Sequence, residues 1–286
     1  MTLISLLIVL ALEFHFKIGS EYRDFKWFTK ARDYLTELFS NKNFFDSWGG
    51  IAIILLPPVL ILYGFVSLFD GSLYWLVLFV VSIVILFLSL GPKSLEKSFE
   101  KYFESMQRDD LEAAYLHLKV DDGEESNTDI PENDELVRSA TQKIIIESQK
   151  RYFGVIAWFI FLGPFGALFY RLAHIYRDVC QKKEFDDHRP LMEQLVHWID
   201  WLPVRITSLL FLLTGDFVKG FYRIKDYLTD ADVNNNQLIS DTGIAALGLE
   251  MGVSTGDVDE NHRTMELIHR TIIIYLVVAA VITTVS

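Results

Sequence analysis

Residues 158–172 read WFIFLGPFGALFYRL, uncharged until Arg171 and interrupted at the centre by Gly163, Pro164 and Gly166. The stretch is apolar enough for a membrane helix, yet a straight span avoids proline, which removes a backbone donor that lipid cannot replace. Interrupted backbone is tolerated at that depth only where protein or a water-filled cavity covers the freed groups. Five bases follow it, Arg171, Arg177, Lys182, Lys183 and Arg189. A complete crossing would put them outside, against the rule that short cytoplasmic loops carry the Lys and Arg. Two arrangements satisfy the charges. Either the segment re-enters as two half-helices, or it crosses and Ile206 to Leu213 crosses back as a short partner. The buried, broken arrangement is the expected one, with positions 125 and 183 both on the cytoplasmic side.

The 286-residue chain around it is 51% hydrophobic and 14% aromatic, with a mean hydropathy of +0.27. A soluble domain has no need of that much apolar surface. Uncharged runs extend from Trp48 to Phe69, Gly71 to Pro92 and Tyr152 to Tyr170, each near the roughly 20 residues that cross the hydrocarbon. The turn Phe69-Asp70-Gly71-Ser72 makes the first two a hairpin, and Pro57 and Pro58 are expected to kink its first arm. Residues 2–16 form an apolar opening interrupted by Glu13. No basic region precedes it and no A-x-A-like site follows, so an uncleaved helix is expected. Residues 271–286 close the chain without a charge, and Arg270 and His269 can snorkel to extend that span.

Charged, amphipathic segments lie between. Residues 17–47 alternate charges with Phe25, Trp27, Phe28, Tyr34, Leu35, Leu38 and Phe39, the spacing of a helix lying on the membrane surface. Their bases, Lys17, Arg23, Lys26, Lys30, Arg32 and Lys42, mark the segment as cytoplasmic. Residues 93–118 and 135–151 carry apolar residues at helical spacing, and residues 119–135, KVDDGEESNTDIPENDE, read as a solvated acidic loop. The expected fold is all-α: one polytopic helical membrane domain over 1–286. Its membrane segments are about 2–16, 48–69, 71–91, 152–172 (broken), 203–214 (short) and 271–286, and its cytoplasmic helical regions are 17–47, 93–151 and 216–269.

A formal charge of −12 excludes nucleic acid as a partner, because phosphate neutralisation needs clustered bases. Cys180 is the one cysteine, so neither an intramolecular disulfide nor a Cys-based metal site can form, and a small half-buried residue is expected there. DADVNNNQLISD, residues 230–241, has oxygen side chains at calcium-loop spacing. Asn235 stands where the sharp turn wants glycine, however, and Asp241 where a bidentate glutamate belongs, so a helix-capping turn is expected instead.

Four further places carry candidate chemistry. Glu13 is an ionisable group in a membrane segment, by default a functional candidate, or it marks the interface. Arg108, Asp109 and Asp110 in ESMQRDDLEAA read as a solvated helix face, and Tyr170 with Arg171 close the broken segment. HWIDWLPVRITSLL, residues 197–210, sets Trp198, Trp201 and Pro203 at a helix break of interfacial depth. Asp200 and Arg205 are close enough to pair across it, since an unpaired charge there is costly. That pair serves equally as a structural clamp or as part of a ligand site.

QRDDLEAA (107–114), LGPFGALFYRL (162–172) and HWIDWLPVRITSLL (197–210), in that order after MTLISLLIVLALE, resemble the AmpE family of Gram-negative inner-membrane proteins. More distantly the chain is similar to the CobD/CbiB membrane synthases of cobalamin assembly. The match covers most of residues 1–215 and is one of pattern beyond. The first resemblance implies a signalling modulator of β-lactamase induction, associated with an amidase of cell-wall recycling. The second implies a ligase that joins an aminopropanol unit to a corrinoid carboxylate at the expense of ATP, with acidic side chains for magnesium and basic ones for phosphate.

Arg108 and Asp109 match the first synthase motif, Tyr170 and Arg171 begin the third, and Trp201, Pro203, Arg205 and Thr207 match the last. The acidic signature before Gly154 is replaced by Gln149, Lys150, Arg151, Tyr152 and Phe153. His174, Ile175 and Arg177 alter the third motif, and Val196 with His197 replace paired aspartates. The expectation is a retained scaffold without the synthase activity, with neither metal nor cofactor and with no catalytic residue. Its ligand pocket would comprise Glu13, Arg108, Asp109, Tyr170, Arg171, Asp200, Trp201 and Arg205. Expected partners are the lipid bilayer, a small-molecule or nucleotide ligand, and a second copy of the chain or a cell-wall-recycling membrane protein. The alternative is an enzyme, either a CobD/CbiB-type ligase or another membrane transferase. A transporter is the weakest reading, because no inverted repeat is visible.

Overall fold

The computed structural model describes residues 2–16, 23, 25–39, 44–91, 94–119, 131–182, 186–228, 230–249 and 259–285, and among them the regular structure is helical throughout. In chain order the helices are α1 (Thr2–Phe16), α2 (Lys26–Phe39), α3 (Trp48–Ser67), α4 (Gly71–Ser89), α5 (Leu95–Gln107), α6 (Leu111–Lys119), α7 (Asn133–Ser148), α8 (Gly154–Lys182), α9 (Arg189–Thr214), α10 (Phe217–Ile224), α11 (Asn235–Ala246) and α12 (Asp259–Val285). A π-helical turn, Gln149–Phe153, joins α7 to α8. Among the described residues, five helical stretches are long and apolar enough to cross a bilayer. The chain is an all-α, multi-pass membrane protein.

It packs as two compact units. One comprises Met1–Pro92, Gly154–Asp200 and Val278–Ser286, the other Lys93–Phe153 and Trp201–Val277. In the first, α3 and α4 form the expected hairpin, started by Ser47, whose hydroxyl accepts from Gly49 N. α3 runs on as one helix through Pro57 and Pro58.

α8 decides the topology. Gly163 adopts φ 63, ψ −150, a conformation that costs glycine little and other residues a great deal. Pro164 then opens the second arm, at the helix position where a missing N–H is tolerated. The arms fold back on each other: the Tyr170 hydroxyl lies against Gly154, where a Cβ would collide with it, and a Cβ on Gly166 would sit 2.5 Å from the Trp158 carbonyl oxygen. In a straight helix residues 154 and 170 would be about 24 Å apart. Residues 154–182 are therefore a helical hairpin folded at Gly163, and its first arm continues the helical run from α7 through the π-turn. Arms folded back on each other are the geometry that a re-entrant segment needs, with chain entering and chain leaving on one side. Positions 125 and 183 fall outside the described residues, and a re-entrant hairpin sets the expected result. In a Cys180→Ser background, single cysteines there should react with an impermeant maleimide from the same side of sealed vesicles. Labelling from opposite sides would mean a complete crossing.

The short segment expected at 203–214 is instead the second half of α9, a 26-residue helix that continues through Pro203. The break expected there does not occur. A proline at 203 brings no N–H to the carbonyl of Ile199, and the Trp158 indole Nε1 donates to that oxygen at 3.0 Å.

The second unit contains most of the remaining helices. Tyr102 Oη donates to Asn261 Oδ1 (3.0 Å), and Asn261 Nδ2 donates to Thr141 Oγ1 (2.9 Å) and the Val137 carbonyl (3.1 Å). These bonds tie the start of α12 to α5 and α7. Residues 259–269, expected in a separate cytoplasmic region, continue without interruption into the last span as one helix. The calcium-like loop is the capping turn it was expected to be: the Asn234 side chain accepts from the amides of Asn236 and Gln237 at the start of α11. The acidic loop lies outside the described residues over 120–130.

Candidate functional site

Tyr170 and His174, four residues apart, share one face of the second α8 arm. Asp200 on α9 meets both. The Tyr170 hydroxyl donates to Asp200 Oδ1 at 2.7 Å, and His174 Nε2 lies 3.2 Å from the same oxygen. A carboxylate can only accept, so Nε2 carries the proton. Asp200 is 6% exposed and His174 2%, while His174 Nδ1 is buried without a hydrogen-bond partner among the described residues. Gly154 makes the arrangement sterically feasible, since any side chain there would occupy the Tyr170 hydroxyl's position. The hairpin and the triad are thus one construction.

A second buried cluster lies in the same unit. Arg32, 2% exposed, forms a close ion pair with Asp186 and donates to Asp33 Oδ1 at 3.0 Å. Burial lowers the guanidinium's proton affinity, but Asp33 and Asp186 more than offset it, so its pKa stands above the ordinary value. Arg32 Nη2 is 3.8 Å from Cys180 Sγ. Cys180 is fully buried rather than half-buried. His188 bridges the Tyr176 hydroxyl and the Phe45 carbonyl, the latter at 2.5 Å.

Glu13 is buried and engaged: Arg23 Nη1 donates to its Oε2 at 2.6 Å and to the Gly91 carbonyl at 3.2 Å, with the guanidinium 3.7 Å above the Phe87 ring. Two of the bases counted as cytoplasmic markers, Arg23 and Arg32, therefore serve internal ion pairs.

In the other unit Arg205 uses its whole fork. It donates to the carbonyls of Leu228 (2.9 Å), Trp201 (3.0 Å) and Asp230 (2.5 Å) and to Asn235 Oδ1 (3.0 Å), with its face 4.3 Å from the Trp201 ring. The ion pair expected between Asp200 and Arg205 does not form, because each is satisfied by other partners. The reason is geometric: on one continuous helix, residues five apart point away from each other.

Arg108 and Asp109 are not a helix face but the corner between α5 and α6. Both are exposed, Arg108 Nη2 is 3.4 Å from Glu104 Oε2, and Asp109 has φ 57. Asp110 caps α6 through the Ala113 amide at 3.0 Å. Of the eight expected pocket residues, the structure joins Tyr170 to Asp200 and Trp201 to Arg205. It places Glu13 with Arg23, leaves Arg171 half-buried on the hairpin arm, and holds Arg108 and Asp109 at an exposed corner. His174, Arg32, Asp186 and His188 were missed. Only His174 had a legible signal, its four-residue spacing from Tyr170.

A family model described as "Regulatory signalling modulator protein AmpE" matches residues 1–286. A curated relative from Chromobacterium violaceum, named "Cobalamin biosynthesis protein CobD", is 25% identical over 185 residues, 60% of this chain and 55% of that protein. Another of the same name, from Clostridium acetobutylicum, is 24% identical over 244 residues, 78% of this chain and 74% of that protein. No solved structure matches.

Proposed function

We propose, from the premise that the chain belongs to the AmpE family, that it is a bacterial inner-membrane regulatory protein of β-lactamase induction and cell-wall recycling, without the ligase chemistry of its CobD relatives. The observation that carries this reading is the state of Asp200. Its carboxylate is buried and occupied by Tyr170 and His174, whereas a magnesium-nucleotide site needs carboxylates presented to the ligand. Arg108, at a position resembling a synthase motif, is turned to Glu104 at an exposed corner. The triad acts here as a lock between the re-entrant hairpin and α9, and loosening it is the change a cell-wall-recycling partner or ligand would read.

The test replaces the chromosomal gene by Asp200→Asn in a strain with inducible β-lactamase. Induction should shift several-fold, the scale of a typical coupling energy, with the membrane level of the protein unchanged. Unaltered induction would sink the regulatory lock. Purified protein should show no magnesium-dependent ATP turnover with or without a corrinoid. Turnover abolished by Asp109→Ala would establish the ligase instead.

A further inference from the structure

A cavity of 510 Å³ opens in the first unit against α2, α3, α4 and Leu168 of α8, within the range of about 300–1,000 Å³ typical of small-molecule sites. Its lining is hydrocarbon apart from the Trp27 indole and one charged side chain, Arg32. We propose that this groove holds one acyl chain of a bilayer phospholipid, whose ester carbonyl accepts a hydrogen bond from Arg32 Nε.

Three observations identify the occupant. The first is where the walls come from. Pro57, Pro58, Ile61 and Leu62 on one side belong to the membrane-crossing α3, and the other side is the amphipathic α2. That helix leaves Trp27, Tyr34 and Leu38 more than half exposed, as a helix resting in the lipid interface does. The groove therefore opens where lipid chains are the solvent. The second is an unmet donor: Arg32 is 2% exposed, yet its Nε has no hydrogen-bond partner among the described residues, and a buried N–H in an apolar wall is costly until an acceptor reaches it. The third is charge. Arg32 already faces two carboxylates, Asp33 and Asp186, so its cation is matched without an anionic ligand. The acceptor that remains to be supplied to Nε is therefore a neutral one, such as an ester carbonyl. An acyl ester supplies both the chain and the acceptor. This proposal is independent of the regulatory reading.

The experiment uses the full-length protein in phosphatidylcholine vesicles with a trace of phosphatidylcholine that carries a diazirine midway along one acyl chain. After illumination, peptides covering residues 31–35 and 57–65 should be labelled about fivefold more per residue than residues 73–80 on exposed α4, a difference of about 1 kcal/mol in occupancy. Leu62→Trp, which plugs the groove, should remove that excess and leave α4 labelling unchanged. If that variant does not fold, Ile61→Trp serves, because its site is exposed. An ether-linked analogue without the carbonyl should label the groove several-fold less than the ester. Equal labelling of groove and α4, or an excess that survives the plug, would overturn the chain site. Equal labelling by ether and ester would overturn the Arg32 contact.

Discussion

Arg205→Ala should be the most damaging single substitution in the second unit, with a loss of about 3–5 kcal/mol. Four acceptors depend on that one guanidinium, three of them backbone carbonyls. Each charge-assisted bond contributes about 1.5–3 kcal/mol and the contributions do not add. The loss is large because the carbonyls of Leu228 and Asp230 belong to the connection between α10 and α11, which Arg205 anchors to α9. Arg205→Lys should recover little, since one ammonium cannot reach acceptors spread around a planar fork. Thermal unfolding in mild detergent, read by tryptophan fluorescence, checks both variants, and limited proteolysis should cut first near residues 228–235. A lysine variant as stable as the native protein would mean that the fork geometry is unimportant.

Gly154→Leu should be comparably severe in the first unit, costing about 3 kcal/mol or more. No side chain fits between the arms there, because the Tyr170 hydroxyl and ring already fill the space. Leucine would push Tyr170 off Asp200, leaving the buried hydroxyl without its acceptor and Asp200 with His174 alone. The informative measurement is a double-mutant cycle with Tyr170→Ala, which vacates the space. The hairpin requires a coupling of about 1–3 kcal/mol between the two positions, with the double variant more stable than the sum of the singles. Strict additivity is what a straight span would give, since its residues 154 and 170 never meet.

Much of the architecture was legible because it rests on local chemistry. The α3–α4 hairpin followed from two uncharged runs and a four-residue turn, and the break in α8 from Gly163 and Pro164. The helix cap at Asn234 followed from the polar turn residues. What failed were inferences from one proline or one charge pair considered alone. Pro203 reads as a break, but Trp158, distant in sequence, supplies the hydrogen bond it removes, and no local pattern encodes that. Asp200 and Arg205 look complementary in sequence, yet a continuous α9 turns them to different partners. Arg32 and Arg23 read as surface bases, because nothing nearby in sequence announces Asp186 or Glu13 as their counter-ions. The candidate site was half readable for the same reason: Tyr170 and Asp200 lie in recognisable motifs, while the Arg32 cluster depends on residues about 150 positions apart.

The fold-back of α8 at Gly163 also bears on how the protein is made. The uncharged part of the first arm, residues 152–162, is short for a crossing by itself, and the turn at Gly163 interrupts the helical backbone ladder, an interruption that lipid cannot satisfy. α3 and α4, which emerge from the ribosome first and pack against α8, form the vestibule that the hairpin needs. The expected result is sequential insertion: a fragment that begins after α4 should fail to place the hairpin in the membrane, and co-synthesis of residues 1–92 should restore it.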